Sequence, residues 1–91
     1  KIYFIQIGSD AKLKSLNILE TLRKAHVPVL QSLSKDSLSQ QLAIAEKLEI
    51  PFVIIFGQKE SIEKSVIVRD MKTRSQQTVK IDRLADYIKH L

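Results

Sequence analysis

Residues 51–82, PFVIIFGQKESIEKSVIVRDMKTRSQQTVKID, decide the fold. The run 51–57 is the most apolar in the chain, which predicts a central strand of a sheet. The polar segment 58–64 predicts a single helical turn. Apolar and polar residues alternate in 65–71 and again in 76–81, on both sides of a short charged turn. This alternation predicts a β-hairpin that follows the central strand.

Two strand–helix units precede this stretch. Residues 1–8, KIYFIQIG, carry apolar side chains on both faces, as in a strand that is covered on both sides. A helix capped by Ser9 or Asp10 is predicted to run to about Ala25. Residues 27–33 predict a second strand, which we place at a sheet edge because Pro28 cannot donate to a ladder. The apolar stripe of the helix is predicted to consist of Ala11, Leu16, Ile18, Leu19, Leu22 and Ala25.

Two more helices complete the pattern. Ser37 and Gln40 have capping-box spacing before the first, and Asp82 is predicted to cap the second. The element order is then β-α-β-α-β-(short helix)-β-β-α. This order predicts one α/β domain over residues 1–91, a three-layer α/β/α fold with a five-stranded mixed, mainly parallel sheet and a C-terminal antiparallel hairpin step. The residues predicted to face inward are Leu38, Leu42, Ala45 and Leu48 in one helix and Leu84, Ala85, Ile88 and Leu91 in the other.

Charge and composition limit the functions that this chain can have. The chain has 91 residues, is 44% hydrophobic, contains no cysteine and carries a net charge of +5. No apolar run is long enough to span a membrane, and we expect a cytoplasmic protein. Residues 64–83 hold six cations against Asp70 and Asp82, a local +4, which indicates a polyanion such as RNA or, more simply, a solvated basic surface. The six cations are Lys64, Arg69, Lys72, Arg74, Lys80 and Arg83.

Motifs for catalysis and cofactor binding are absent. The two glycines, Gly8 and Gly57, form no phosphate-binding loop, and His26 and His90 lack ligand spacing. The sequence therefore predicts no catalytic residue, no metal and no cofactor in this domain.

Two segments resemble a known family. Residues 50–84, IPFVIIFGQKESIEKSVIVRDMKTRSQQTVKIDRL, resemble the C-terminal half of the anticodon-binding domain of histidyl-tRNA synthetases. That pattern has a Pro-Tyr-Val strand ending in Gly-Glu-x-Glu, a Val-Arg-Asp-Met/Leu hairpin and a Gln-x-x-Val strand before a final helix. Residues 32–51, SLSKDSLSQQLAIAEKLEIP, are similar to the second helix of the family and its loop.

The resemblance implies a recognition module that is not catalytic by itself. Such domains hold the tRNA anticodon stem-loop, while a separate class II domain uses ATP and Mg²⁺ to activate histidine. It implies that residues 1–91 come from the C-terminal end of a longer histidine–tRNA ligase, usually a homodimer, with tRNA and the catalytic domain as partners and with no DNA or membrane partner.

The resemblance also implies which residues contact RNA. Glu60 could accept a hydrogen bond from a base amino group, and Arg69 could donate to a base or a phosphate. Structural alternatives remain open: an exposed turn residue for Glu60, an ion pair with Asp70 or Glu60 for Arg69, a turn or ion-pair role for Asp70, and a solvated hairpin tip. Gln58 stands where the family usually carries Glu. The full set is Gln58, Glu60, Arg69, Asp70, Lys72 and Arg74.

Three positions depart from the family, which often has glycine where this chain has His26, Glu49 and Arg74. The first two follow helices, where a left-handed residue commonly ends the helix, and the third lies in the hairpin turn. We therefore predict a positive φ for at least two of the three.

Two other functions are compatible with the pattern. An anticodon-domain relative could serve as an interaction or dimerisation module of a regulatory protein, such as a translation-control kinase. A generic flavodoxin-like or thioredoxin-like domain would instead bind a small ligand near Gly8 and Gly57, although thioredoxin chemistry is excluded without cysteine.

Overall fold

The computed structural model describes residues 2–7, 12–31 and 38–90. A 3₁₀ turn, Ile81–Arg83, joins the last strand to the last helix. The other elements are β1 (Ile2–Gln6), α1 (Lys12–Lys24), β2 (Val29–Gln31), α2 (Leu38–Lys47), β3 (Phe52–Phe56), α3 (Gln58–Glu63), β4 (Ser65–Asp70), β5 (Gln76–Lys80) and α4 (Leu84–Lys89).

The five strands form one sheet in the order β2-β1-β3-β4-β5. β1 pairs in parallel with β2 and β3, whereas β4 pairs antiparallel with β3 and β5, so that β4 alone opposes the other four. The predicted five-stranded mixed sheet is confirmed, with β3 central and β2 at an edge. The antiparallel part of the sheet is larger than predicted, since β4 pairs antiparallel with β3 as well as with β5. The link from residue 57 to 64 is shorter than the dozen or so residues that a parallel crossover needs.

Two apolar clusters cover the two faces of the sheet. Ile54 and Phe56 of β3 belong to the cluster that packs against α1 and α4. Val53 and Ile55, which alternate with them, belong to the cluster that packs against α2. Because every second side chain of β3 enters a different cluster, this strand is buried on both faces, as its continuous apolar run predicted.

Several predictions of helix faces and caps were wrong. Leu16 and Leu48 are 60% and 55% exposed. The buried positions run at i, i+3, i+4 and i+7, and one place in each helix is taken by a polar residue, Ser15 in α1 and Gln41 in α2. Asp82 lies within the 3₁₀ turn and provides no cap, since neither cap residue there makes a side-chain capping bond. The predictions for Gly8, Ser9, Asp10, Ala11, Ser37 and Leu91 lie outside the described residues.

The prediction of positive φ is confirmed at all three positions. His26, Glu49 and Arg74 have φ of 59°, 57° and 62°, and Lys64 adds a fourth value of 54°. His26 ends α1 in a Schellman motif, in which its N–H donates to the Arg23 carbonyl at 3.0 Å and the N–H of Val27 donates to the Leu22 carbonyl at 3.1 Å.

Glu49 ends α2 in the same way. Its N–H donates to the Glu46 carbonyl at 3.0 Å, and the N–H of Ile50 donates to the Ala45 carbonyl at 3.1 Å. Ile50 and Ala45 are both in the α2-side cluster, which supplies the apolar contact that accompanies this motif. Within the described ranges, no helix is long and apolar enough to cross a membrane.

Candidate nucleic-acid interface

The α2 side of the sheet is covered over β1 and β3 and open over β5. The cross-strand pair of Arg69 and Gln76 projects to this side, because Arg69 alternates with residues of β4 that face the other cluster. Thr78 and Lys80 of β5 follow Gln76 at two-residue intervals and share its side. Gln76, Thr78 and Lys80 are exposed, and Arg69 is half-buried. These four residues define what we call the open face.

Arg69 is held by its neighbour rather than by a carboxylate. Its Nη1 donates to Oε1 of Gln76 at 2.7 Å. The alternative of an ion pair with Asp70 or Glu60 is wrong, since the ion pairs found among the described residues involve other arginines. The Nε of Arg69 is buried and has no hydrogen-bond partner in the described part of the chain. Among the described residues, no carboxylate therefore forms an ion pair with this guanidinium.

Arg69 and Gln76 together form a donor pair. An arginine has no acceptor, so Gln76 must turn its carbonyl oxygen toward Arg69. The amide –NH₂ of Gln76 is then left as a donor beside the remaining guanidinium N–H groups. Two adjacent donor groups match a phosphate or a base edge that presents two acceptors.

Glu60 lies in α3 rather than in an exposed turn. Its Oε1 accepts from the backbone N–H of Gly57 at 3.1 Å, which is the contact from a helix N3 carboxylate back to the N-cap residue. A Cβ on Gly57 would be 3.0 Å from this oxygen, and 3.9 Å from the side chain of Ile7. Ile7 packs into the α2-side cluster, so the carboxylate lies on the same side of the sheet as the open face.

The structure places the predicted RNA-contacting residues at opposite ends of this side. Arg69 pairs with Val53 near the start of β3, whereas Glu60 follows the end of that strand. The backbone between Val53 and Gly57 rises about 13 Å. A ligand that contacts both ends must therefore be extended along the strands, as a nucleotide loop is.

The hairpin turn is ordered by Asp70. Its Oδ1 accepts from the N–H groups of Lys72 at 2.9 Å and Thr73 at 3.2 Å, and its carbonyl accepts from the N–H of Arg74 at 2.7 Å. Asp70 therefore has the turn role that its alternative predicted. Lys72 and Arg74 are exposed, and Nη2 of Arg74 lies 4.0 Å from Oε1 of Glu46. For Gln58 the structure describes the backbone, which begins α3, but not the side chain.

Cations lie at both ends of the open face. Lys80 pairs across the strands with Ser65, and its Nζ donates to the carbonyl oxygen of Glu63 at 3.3 Å, which places it at the α3 end. Lys72 and Arg74 lie at the hairpin end. Gln76, Thr78 and Lys80 were not among the candidate site residues. The alternation in QQTVK, with only Val79 apolar, was the signal that could have found them.

The comparisons with known proteins agree with this geometry. The family model described as the anticodon binding domain matches residues 1–91. The chain belongs to the anticodon-binding domain family.

Its relatives are synthetases. Histidine–tRNA ligase of Caldicellulosiruptor saccharolyticus is 38% identical over 91 residues, which is 98% of this chain and 21% of the relative. That of Pseudothermotoga lettingae is 33% identical over 87 residues, 96% of this chain and 20% of the relative. The chain thus spans about a fifth of the length of the curated relatives it matches.

A solved structure supports the same assignment. Histidyl-tRNA synthetase from Nostoc superposes with a TM-score of 0.89 at 25% identity, over 97% of this chain and 21% of that one. The resemblance to the anticodon-binding domain of histidyl-tRNA synthetases is therefore confirmed. The regulatory and small-ligand alternatives are not favoured.

Proposed function

We propose that this domain binds the anticodon arm of a tRNA and serves as the recognition part of a histidine–tRNA ligase. Membership of the anticodon-binding family over residues 1–91 carries the proposal. The open face supports it. It combines a guanidinium that pairs with no carboxylate of the described ranges, exposed hydrogen-bonding side chains and nearby cations.

The two ends of the α2 side of the sheet are proposed to make different contacts. Arg69 and Gln76 donate to the acceptors of a base edge or a phosphate. Glu60 keeps one carboxylate oxygen for Gly57 and offers the other to a base amino group. Lys72 and Arg74 contact phosphates beyond the hairpin, and these contacts supply most of the affinity. Gln58 and Asp70 act beside them, Asp70 by shaping the turn.

The rest of the proposed enzyme lies outside this chain. The relatives are about five times longer, and we propose that their additional length corresponds to a catalytic domain that uses ATP and Mg²⁺. We also propose that the whole enzyme is a homodimer in the cytoplasm. In this scheme residues 1–91 supply binding and orientation, and none of them takes part in the chemistry.

A titration with RNA hairpins tests the proposal. The 91-residue chain is titrated with the anticodon arm of a histidine tRNA and with the same arm carrying a different anticodon, each at two salt concentrations. We expect tighter binding to the first arm and a steep loss of affinity with salt. Arg69→Ala should weaken binding by about 1–3 kcal/mol.

A matched control keeps the net charge equal. Arg23→Ala removes an exposed cation of α1, which packs on the other side of the sheet. This variant should bind within about twofold of the parent, since a distant exposed charge acts only through the screened field of the protein. Equal losses in both variants, or equal affinity for both arms, would refute recognition by the open face.

A further inference from the structure

The outer edge of β5 is a structural feature that the proposed RNA recognition does not use. β5 is the last strand of the sheet, and no described strand pairs with its outer side. Hydrogen bonds from Asp70 N–H to the Ser75 carbonyl at 2.9 Å and from Ile81 N–H to the Lys64 carbonyl at 3.1 Å bracket the ladder with β4.

The bracketing bonds show which backbone groups face outward. Pairs in an antiparallel ladder alternate between bonded and non-bonded, so Ser75, Gln77, Val79 and Ile81 bond to β4. The N–H and C=O groups of Gln76, Thr78 and Lys80 therefore point away from the sheet. They form a row of donors and acceptors with the spacing of an extended chain.

A cleft lies beside this edge, on the α4 side of the sheet. Its volume is about 660 Å³, and it is open to solvent between β5 and α4. The Tyr87 hydroxyl donates to Oε1 of Gln77 at 2.9 Å across it. The lining residues are Gln77, Val79, Arg83, Asp86, Tyr87 and His90.

We propose that β5 accepts an extended acidic segment of another protein, which adds a sixth strand to the sheet in antiparallel orientation. Antiparallel pairing is the more stable mode per residue and places each bonded residue opposite Gln76, Thr78 or Lys80. The side chains of the added strand that lie on the same side of the sheet as the open face are acidic and contact its cations. Alternate side chains enter the cleft, where Val79 and Tyr87 offer apolar surface.

Charge selects this occupant over a second copy of the chain. Each copy carries a net charge of +5, so pairing β5 with β5 would bring two like-charged molecules together. An acidic strand reverses the sign of that interaction. The proposal concerns the backbone edge and does not depend on RNA binding by the side chains of the open face.

A pair of peptides tests the edge directly. The probe is an acetylated and amidated heptapeptide of alternating Glu and Val, labelled with a fluorophore. In the proposed register the Glu N–H groups face β5 and the Val N–H groups face solvent. N-methylation of the Glu amides should therefore weaken binding to the 91-residue chain at least about tenfold, whereas N-methylation of the Val amides should change it less than about twofold.

A pair of protein variants tests the same contact from the other side. Thr78→Pro removes an outward N–H that the β4 ladder does not use, and Thr78→Val keeps that N–H with a similar volume. The proline variant should lose at least about tenfold in peptide affinity, and the valine variant should bind like the parent. Circular dichroism checks that both variants remain folded. If the proline variant is unfolded, the comparison of the two methylated peptides decides the outcome.

The readout separates a peptide site from an RNA site. The same variants are titrated with the anticodon arm. Both variants lose the Thr78 hydroxyl of the open face. RNA affinity that is equal in Thr78→Pro and Thr78→Val, together with peptide affinity that is lost in Thr78→Pro alone, therefore supports the proposal. Equal binding of the two methylated peptides, no peptide binding at millimolar concentration, or a loss of RNA affinity in Thr78→Pro that Thr78→Val does not show would overturn it.

Discussion

Replacing Arg74 by glycine should stabilise this fold and weaken its RNA binding at the same time. Arg74 closes the β4–β5 hairpin at a φ of 62°, and its N–H donates to the Asp70 carbonyl at 2.7 Å. A side chain in this conformation costs roughly 1–2 kcal/mol, which glycine does not incur. A strained cation at a turn is an observation from which a binding role can be inferred.

The net stabilisation follows from three contributions. Relief of strain is offset by about 0.4–1 kcal/mol, because glycine gives the unfolded chain more freedom. The Arg74–Glu46 pair is separated by 4.0 Å, and its two side chains are 74% and 70% exposed. Such a pair contributes at most about 0.5 kcal/mol. From the middle of each range, the free energy of unfolding should rise by about 0.5 kcal/mol, which raises Tm by about 2–4 °C in a domain of this size.

Thermal unfolding followed by circular dichroism measures the first effect, and a salt series of RNA titrations measures the second. Loss of one phosphate contact should lower the slope of log affinity against log salt by about 0.7–0.9. Arg74→Lys keeps both the charge and the strain and should resemble the parent in both assays. A Tm for Arg74→Gly that is equal to or below that of the parent would show that the relief of strain does not exceed the two opposing contributions, and would refute the predicted stabilisation.

Three further outcomes are expected. Glu49→Gly should raise Tm by a similar few degrees, because the backbone of Glu49 has a φ of 57° in the Schellman motif. RNA affinity should stay constant, and a loss of affinity would place the end of α2 in the RNA site. Ile54→Ala should lower the free energy of unfolding by about 2–5 kcal/mol in urea titrations, since this side chain is fully buried at the centre of the sheet, and a loss below about 1 kcal/mol would contradict that packing. Glu60→Gln keeps a carbonyl oxygen for the Gly57 N–H, so Tm should stay within a degree or two, but the anticodon arm should bind about tenfold more weakly if a base amino group meets the other oxygen. Unchanged affinity in that variant would assign Glu60 to helix capping alone.

Local patterns predicted most of the elements and their neighbours. The continuous apolar run at 52–56 identified the central strand, and Pro28 identified the edge, because each reflects a constraint that acts on the residue itself. The absence of the family's glycine at His26, Glu49 and Arg74 predicted a left-handed conformation for at least two of them, and all three have it. A backbone position that closes a helix or a hairpin keeps its geometry when its side chain changes.

Helix faces were predicted less well, because burial depends on the neighbour across the interface. The i, i+3, i+4, i+7 pattern in α1 and α2 includes Ser15 and Gln41, and a search for apolar residues passes over both. The hydroxyl of Ser15 donates to Oε1 of Gln6 at 3.0 Å, a partner on β1 that offsets the cost of burial. That compensation comes from a residue nine positions away and could not be read from the helix.

The sequence alone determined the family, the order of the elements and the basic character of the last third of the chain, because these depend on residue types and their spacing. The tertiary structure decided where the charged residues lie and which groups they contact. Pairing of β4 with β3 separated Glu60 from Arg69, pairing with β5 brought Gln76 to the Arg69 guanidinium, and the end of the sheet left the outer side of β5 unpaired. These relations arise between strands that are distant in sequence or joined by a turn, where register and not composition sets which side chains meet.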